Sequence, residues 1–175
     1  NSDASGAFGF NGSSNLMVNT KGVRFVDETA SRFEICHAIF EQEEPYYYII
    51  SDALNSRVDK MTEEELQKSI DAGVVFKGDT LEELAEKIGV DADTLKATVE
   101  QYNTACKTSN DKLFGRTSFA DGSEIVQGPF YATALEPCSH ITIGGLVVDD
   151  NYAVLTDDGK PIENLYAVGE TIVGS

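Results

Sequence analysis

The 175-residue sequence lacks long apolar runs and contains few basic side chains. No apolar stretch approaches the roughly 20 residues that a membrane-spanning helix needs, and the start has no signal-peptide pattern. The sequence has 13 Lys and Arg residues and 30 Asp and Glu residues, which gives a net charge of −17. This excess argues against nucleic acids and anionic membrane surfaces as partners, because both repel a strongly acidic chain.

Cysteine and histidine are also scarce. The three cysteines, Cys36, Cys106 and Cys138, form no CxxC pair, and the two histidines are His37 and His140. An odd number of scattered cysteines predicts reduced, mostly buried thiols and a cytoplasmic location, not a disulfide framework. The ligand spacing of a zinc site is missing, so we expect no metal.

Two further absences concern nucleotide binding and the chain's start. Neither GxGxxG nor a P-loop occurs, so the sequence by itself offers no phosphate cradle for a dinucleotide. The sequence opens at Asn1 without an initiator Met. We expect either a processed chain or a piece of a longer protein.

Local patterns predict an α+β fold, with helices in the middle of the chain and strands on either side. Helix starts are indicated by three sets of capping residues: Thr62 with Glu65, Thr80 with Glu83, and Asp91 or Asp93. The predicted strands cover residues 16–18, 23–26, 46–50, 130–135, 141–148, 153–155 and 165–168, the first two as a hairpin. Acidic residues in the first turns of the helices account for much of the negative charge.

A further helix is predicted over residues 31–42. Phe33, Cys36, His37 and Phe40 recur at i, i+3, i+4 and i+7, which places them on one helical face. We expect this face to pack on the core, with His37 as a core histidine.

Few residues suggest chemistry on composition alone. His140 precedes Gly144 and Gly145, where a backbone without side chains can approach a ligand, although a β-bulge explains the glycines equally well. Glu170 follows an apolar strand, where a carboxylate can bind ribose hydroxyls or simply face water. Arg32 begins a helix, where the dipole disfavours a cation, and its default partner is Glu28.

The motifs occur in an order that resembles the fumarate reductase/succinate dehydrogenase-type flavoprotein family, which includes urocanate reductases, L-aspartate oxidases and, more distantly, 3-ketosteroid dehydrogenases. The resemblance runs from about residue 15 to residue 174. Its segments are 17–28 followed by Arg32, then 80–85, 95–103, 111–116, 129–132, the His-x-Thr-x-Gly-Gly signature at 140–145, and 159–170.

The resemblance implies a fragment of an FAD-dependent enzyme. In the family a capping domain is inserted into the flavin domain and closes over the substrate. Residues 1–139 are similar to the cap, and residues 140–175 are similar to the chain's return into the FAD-binding domain. The implied partners are FAD, that domain of the same parent chain, a small unsaturated carboxylate and an unidentified electron donor. The fragment alone is expected to be inactive and free of FAD.

The implied reaction sends hydride from flavin N5 to the C=C bond of fumarate or a related α,β-unsaturated carboxylate. By resemblance Arg32 protonates the adjacent carbon and grips a carboxylate, while His140 and Thr142 contact substrate. The same resemblance implies that FAD is contacted by Gly144, Gly145, Gly169 and Glu170.

One segment departs from the family. Fumarate-reducing members carry a Thr-Glu-x-x-Arg relay where this sequence has Ala7, Phe8 and Asn11. A larger or less polar acid is therefore an alternative substrate. The sequence is also compatible with a flavin-dependent dehydrogenase or oxidase of another substrate class, and with a non-catalytic acidic interaction module.

Overall fold

The computed structural model describes residues 16–54, 62–137 and 144–172. The chain forms two compact units, Asn1–Pro137 and Cys138–Ser175, here called the first and second unit. Helices and antiparallel strands are combined in the first unit, so the predicted α+β class is confirmed.

A four-stranded sheet organises the first unit, with strand order β1-β2-β4-β3 and every pair antiparallel. Its strands are β1 (Leu16–Asn19), β2 (Tyr47–Ser51), β3 (Val75–Gly78) and β4 (Phe130–Leu135). The predicted strands at 16–18, 46–50 and 130–135 are confirmed. The short strand β3 lies between two helices and was not predicted from the sequence.

Helices cover both faces of this sheet. They are α1 (Arg32–Phe40), α2 (Glu63–Asp71), α3 (Leu81–Ile88) and α4 (Ala92–Thr108). Because side chains alternate along a strand, Leu16 and Val18 pack with α3 and α4, whereas Met17 packs with α1 on the opposite face. Apolar side chains of α2 pack on that opposite face as well.

The predicted helix starts are confirmed by their cap geometry. Thr62 and Thr80 accept hydrogen bonds from the backbone N–H groups of Glu65 and Glu83, and Asp91 caps α4 in the same way. These bonds satisfy N–H groups that have no partner within the helix.

The predicted hairpin forms only in part. Gly22 adopts φ +77° in the turn after β1, and the returning segment meets β1 at a single bridge between Val18 and Arg24. The expected strand at 23–26 is wrong because Arg24 turns inward into the charged cluster described below.

Helix α1 packs on a different face from the predicted one. Ile35 and Ile39 are buried against the sheet, whereas Phe33 and Phe40 are 79% and 67% exposed. His37 is likewise exposed, so its interpretation as a core histidine is wrong. The periodicity was correct for a helix, but α1 carries two apolar stripes and the shorter one faces the core.

The second unit is small and mostly exposed. Its strands β5 (Ala153–Leu155) and β6 (Pro161–Tyr166) form an antiparallel pair, joined through a turn in which Gly159 has φ +77°. The predicted strand at 165–168 is thus shifted, because β6 begins at Pro161. Of the predicted strand 141–148, the described residues contribute only isolated bridges at Leu146 and Val148.

Within the described residues, no helix combines the length and apolar character needed to cross a membrane.

Candidate functional site

Arg32 is the first residue of α1 and projects from a well-fixed helix start. Ser31 caps the helix through a reciprocal pair of hydrogen bonds with Glu34. Arg32 itself is exposed, and no ion pair to another described residue holds its guanidinium. A cation at a helix N-terminus gains nothing from the dipole, so helix stability does not explain this arginine.

The expected pairing of Arg32 with Glu28 is wrong because Glu28 is fully buried and bound elsewhere. Arg24 donates to both of its carboxylate oxygens, at 2.8 Å from Nε and 2.7 Å from Nη2. Arg116 donates from Nη1 to Oε2 at 2.8 Å, and the Met17 backbone N–H approaches Oε1 at 3.3 Å. Asp111 completes the cluster through a 2.7 Å ion pair with Arg24.

These four residues, Arg24, Glu28, Asp111 and Arg116, are called the charged cluster below. Aromatic rings enclose it: the Arg24 guanidinium lies 4.9 Å from the Phe114 ring centre, and that of Arg116 lies 4.4 Å from Phe119. Tyr102 faces both guanidinium groups. Two cations and two anions balance formally. Ion pairs and aromatic ring faces replace much of the water lost on burial, although Nη2 of Arg116 has no hydrogen-bond partner among the described residues.

Burial and ion pairing shift the pKa values of Arg24 and Asp111 in opposite directions. Burial lowers the pKa of Arg24, but its bonds to Glu28 and Asp111 raise it, with a net upward direction. Burial raises the pKa of Asp111, yet bonds from Leu113 N–H, from Arg24 and from Phe114 N–H hold it below its ordinary value. The charged forms of Arg24 and Asp111 are therefore favoured, as expected for a structural ion pair.

The sequence patterns include the residues of this cluster among the family motifs but do not reveal their burial. They come from segments 17–28 and 111–116, and Arg116 lies 88 positions from Glu28. The available signal was a pair of charged residues, Arg24 and Glu28, flanking the apolar Phe25 and Val26.

In the second unit, the candidate FAD-contacting segments come together. The Leu146 N–H donates to the Thr171 carbonyl at 2.8 Å, and the Ile172 N–H donates to the Gly169 carbonyl at 3.1 Å. A side chain at Gly145 would lie 2.6 Å from the Thr171 oxygen. Glycine is therefore required there by backbone packing.

The remaining candidates in this region differ in their surroundings. Open space surrounds the position of a side chain at Gly144, and Gly169 has φ +70°. Glu170 lies exposed in a short 3-10 helix, Gly169–Thr171. His140 and Thr142 lie outside the described residues.

Two cysteines are described, and both are free thiols. Cys36 is exposed on α1, contrary to the expected burial, whereas Cys106 is half-buried and receives a hydrogen bond from Ser123. Burial raises the pKa of the Cys106 thiol. Cys138 lies outside the described residues. In the described ranges, no three His, Cys, Asp or Glu side chains gather as metal ligands.

Comparison with known proteins gives a consistent family. The chain is 38% identical over 159 residues to the NADH:acrylate oxidoreductase of Vibrio harveyi, covering 91% of this chain and 16% of that protein. An open-conformation flavocytochrome c3 fumarate reductase matches with a TM-score of 0.71 and 32% identity, over 93% of this chain and 28% of that one.

A second solved structure is a 3-ketosteroid Δ1-dehydrogenase from Sterolibacterium denitrificans. It matches with a TM-score of 0.74 and 26% identity, over 95% of this chain and 35% of that one. The chain thus spans between about a sixth and a third of the length of these three proteins. The family model for the FAD binding domain matches residues 3–175, and the chain therefore belongs to the FAD binding domain family.

Proposed function

We propose that this chain is part of an FAD-dependent reductase that acts on fumarate or a related small α,β-unsaturated carboxylate. The family match and the acrylate- and fumarate-reducing relatives support this class of reaction. The observation that carries the proposal is Arg32. Among the described arginines, Arg24 and Arg116 are buried and paired, whereas Arg32 is exposed and has no ion-pair partner.

Arg32 has two roles in this proposal. Its planar guanidinium binds a substrate carboxylate through two parallel hydrogen bonds, a geometry that lysine does not reproduce. It also protonates the carbon next to the one that receives hydride, so that one hydride and one proton together saturate the C=C bond. An ordinary guanidinium releases a proton only above about pH 12, which restricts this step to a strongly basic, carbanion-like acceptor.

Residues of the second unit would hold the flavin. The open surface at Gly144 and the exposed Glu170 carboxylate, beside Gly145 and Gly169, fit a bound FAD whose hydroxyl groups donate to Glu170. When bound, FAD supplies the hydride from its N5 atom. In this proposal His140 and Thr142 contact the substrate.

The domain assignment forms part of the same proposal: residues 1–139 as the cap, and residues 140–175 as the return into the FAD-binding domain. The second unit exposes the apolar side chains of Val147, Leu165, Tyr166 and Val168. A two-stranded sheet with so little buried surface is marginal alone, which favours further protein around it. The electron donor stays unassigned.

The test uses the full-length flavoprotein with FAD, reduced under anaerobic conditions. Fumarate, acrylate and urocanate are added in turn, and reoxidation of the flavin is followed by its visible absorbance. We expect at least one acid to reoxidise it, and we expect Arg32→Ala to slow the step by about 10²-fold or more. Lys112→Ala, which removes another exposed cation, is the matched control. An Arg32→Ala enzyme within about threefold of wild type would refute the role of Arg32.

A second candidate is a flavin-dependent dehydrogenase of a 3-ketosteroid, favoured by the TM-score of 0.74 to such an enzyme. In that case a saturated 3-ketosteroid reduces the oxidised flavin, and the unsaturated acids leave the reduced flavin unchanged. The same preparation distinguishes the two candidates.

A further inference from the structure

The start of helix α1 lies outside the core of the first unit. Its first three residues, Arg32, Phe33 and Glu34, are all exposed. The helix is buried against the sheet by Ile35 and Ile39, which come later in its sequence. A helix of nine residues is too short to be stable alone in water, so its first turn needs a constraint other than packing.

A reciprocal capping box supplies that constraint. The Glu34 carboxylate accepts hydrogen bonds from the Ser31 backbone N–H at 2.9 Å and from the Ser31 hydroxyl at 2.7 Å. In return, Ser31 Oγ accepts from the Glu34 N–H at 3.2 Å. The bonds from the Ser31 hydroxyl and N–H lower the pKa of Glu34, so its carboxylate stays charged and keeps them. Arg32 therefore lies inside a closed ring of hydrogen bonds between residues 31 and 34.

The segment before the capping box is fixed as well, because it folds into a turn. Asp27 Oδ1 accepts from the Thr29 N–H at 2.8 Å and from the Thr29 hydroxyl at 2.7 Å. The Asp27 carbonyl accepts from the Ala30 N–H at 3.0 Å, and Glu28 is fully buried in the charged cluster. The backbone at Arg32 is thereby tied to the charged cluster on one side and to the capping box on the other.

Glu34 constrains the helix start without neutralising Arg32. Side chains two residues apart on a helix do not face each other, and the ion pairs of the described arginines go to Glu28 and Asp111. A negative charge in the first turn also interacts favourably with the helix dipole, which a cation at the same place does not. Glu34 therefore stabilises the backbone around Arg32 and leaves the guanidinium unpaired.

We propose that Ser31 and Glu34 are positioning residues for Arg32, because their capping box fixes the backbone from which the guanidinium reaches the substrate carboxylate. The proposal rests on the proposed function. Neither residue touches the substrate, so both act through Arg32. A displacement of about 1 Å at a catalytic group can slow a reaction by about 100-fold, which is why the placement of this backbone matters for the rate.

Helix α2 offers a matched control, because its capping box has the same bonds. The Glu65 carboxylate accepts from the Thr62 N–H at 2.8 Å and from the Thr62 hydroxyl at 2.9 Å, and Thr62 Oγ1 accepts from the Glu65 N–H at 3.3 Å. This helix carries no arginine. A variant of its capping box therefore removes a helix cap in the same unit without affecting Arg32.

The rate test uses the full-length FAD-loaded protein, reduced anaerobically and reoxidised by the unsaturated acid that the wild type reduces fastest. We expect Ser31→Ala and Glu34→Ala to slow reoxidation by about tenfold or more. Ser31→Thr and Glu34→Gln preserve the capping box and should stay within about threefold of the wild type. The control Thr62→Ala should stay within the same limit.

A double-mutant cycle separates positioning from a general loss of stability. In the Arg32→Ala background, Glu34→Ala should cause no further slowing, because the residue that it positions is gone. If Glu34→Ala slows both backgrounds by the same factor, the effect is structural and the proposal is overturned. Thr62→Ala slowing the reaction as much as Ser31→Ala would overturn it as well.

Hydrogen exchange shows whether the capping box fixes the start of the helix. In the full-length protein, Ser31→Ala should speed exchange of the amides at residues 33–35 by about fivefold or more, and Ser31→Thr should restore slow exchange. Unchanged exchange, or faster exchange with unchanged reoxidation, overturns the positioning and leaves the proposed function standing. A wild type that reduces none of the acids overturns the proposed function, and with it the part of Ser31 and Glu34 in the reaction.

Discussion

Replacing Glu28 with glutamine tests whether the charged cluster holds the first unit together. Glu28→Gln keeps the side-chain shape but removes the negative charge that two buried arginines share. It also places an amide NH₂ among guanidinium donors, so at least one charge-assisted hydrogen bond is lost. Asp111 then stays as the one carboxylate paired with Arg24 in the cluster.

The expected loss of stability follows from the burial of these groups. Removing one member of a buried ion pair costs about 3–5 kcal/mol, because the remaining charge has lost its partner. Since the amide keeps one acceptor oxygen, we expect the lower end, about 3 kcal/mol. With a denaturant slope near 2 kcal/mol per molar urea, the unfolding midpoint should fall by about 1.5 M.

The assay is urea unfolding of the 175-residue chain at pH 7, followed by far-ultraviolet circular dichroism. Glu86→Gln, at an exposed position on α3, is the matched control and should change the free energy of unfolding by less than about 0.5 kcal/mol. If Glu28→Gln costs less than about 1 kcal/mol, the charged cluster does not stabilise the unit as argued.

Acid titration, a glycine substitution and the colour of the purified chain provide three more tests. The folded-state pKa of Asp111 is lowered, so its carboxylate stabilises the fold above about pH 4. That contribution is lost as the pH falls through the folded-state pKa of Asp111. The difference in urea midpoint between wild type and Asp111→Asn should therefore disappear in acid. A difference that stays constant with pH would contradict the stabilising role of the Asp111 carboxylate. Gly145→Ala should speed hydrogen exchange of the Leu146 amide by about tenfold or more, because the new Cβ meets the Thr171 carbonyl. The control Gly144→Ala places its Cβ in open space and should leave the exchange rate of the Leu146 amide unchanged. The purified 175-residue chain should show no flavin absorbance, and stoichiometric FAD would contradict the division of the FAD site between this chain and the rest of the protein.

Helix starts and strands could be predicted because their causes are local. Thr62 and Thr80 each accept a bond from a backbone N–H three residues later, so four consecutive residues contain the whole signal. The buried strand Tyr47–Ser51 was recognisable in the same way, from the β-branched and aromatic content of residues 46–50.

The packing of α1 could not be decided locally. Residues 33, 36, 37 and 40 form a longer apolar stripe than Ile35 and Ile39, yet the pair faces the sheet. Periodicity reports that a helix has an apolar stripe, but the neighbouring surface decides which stripe is buried.

The arginines show why the candidate site needed tertiary information. In the sequence, Glu28 lies four residues from both Arg24 and Arg32, and either pairing is plausible. In the structure, the side chains that donate hydrogen bonds to the Glu28 carboxylate, among the described residues, are Arg24 and Arg116. Arg116 lies 88 positions from Glu28 in the sequence. Arg24 and Arg116 together neutralise the acid that the sequence also offers to Arg32. Arg32 is left without an ion-pair partner among the described residues, which is what the proposed binding of a substrate carboxylate requires. The buried cluster and the exposed arginine are therefore two consequences of one arrangement of charges.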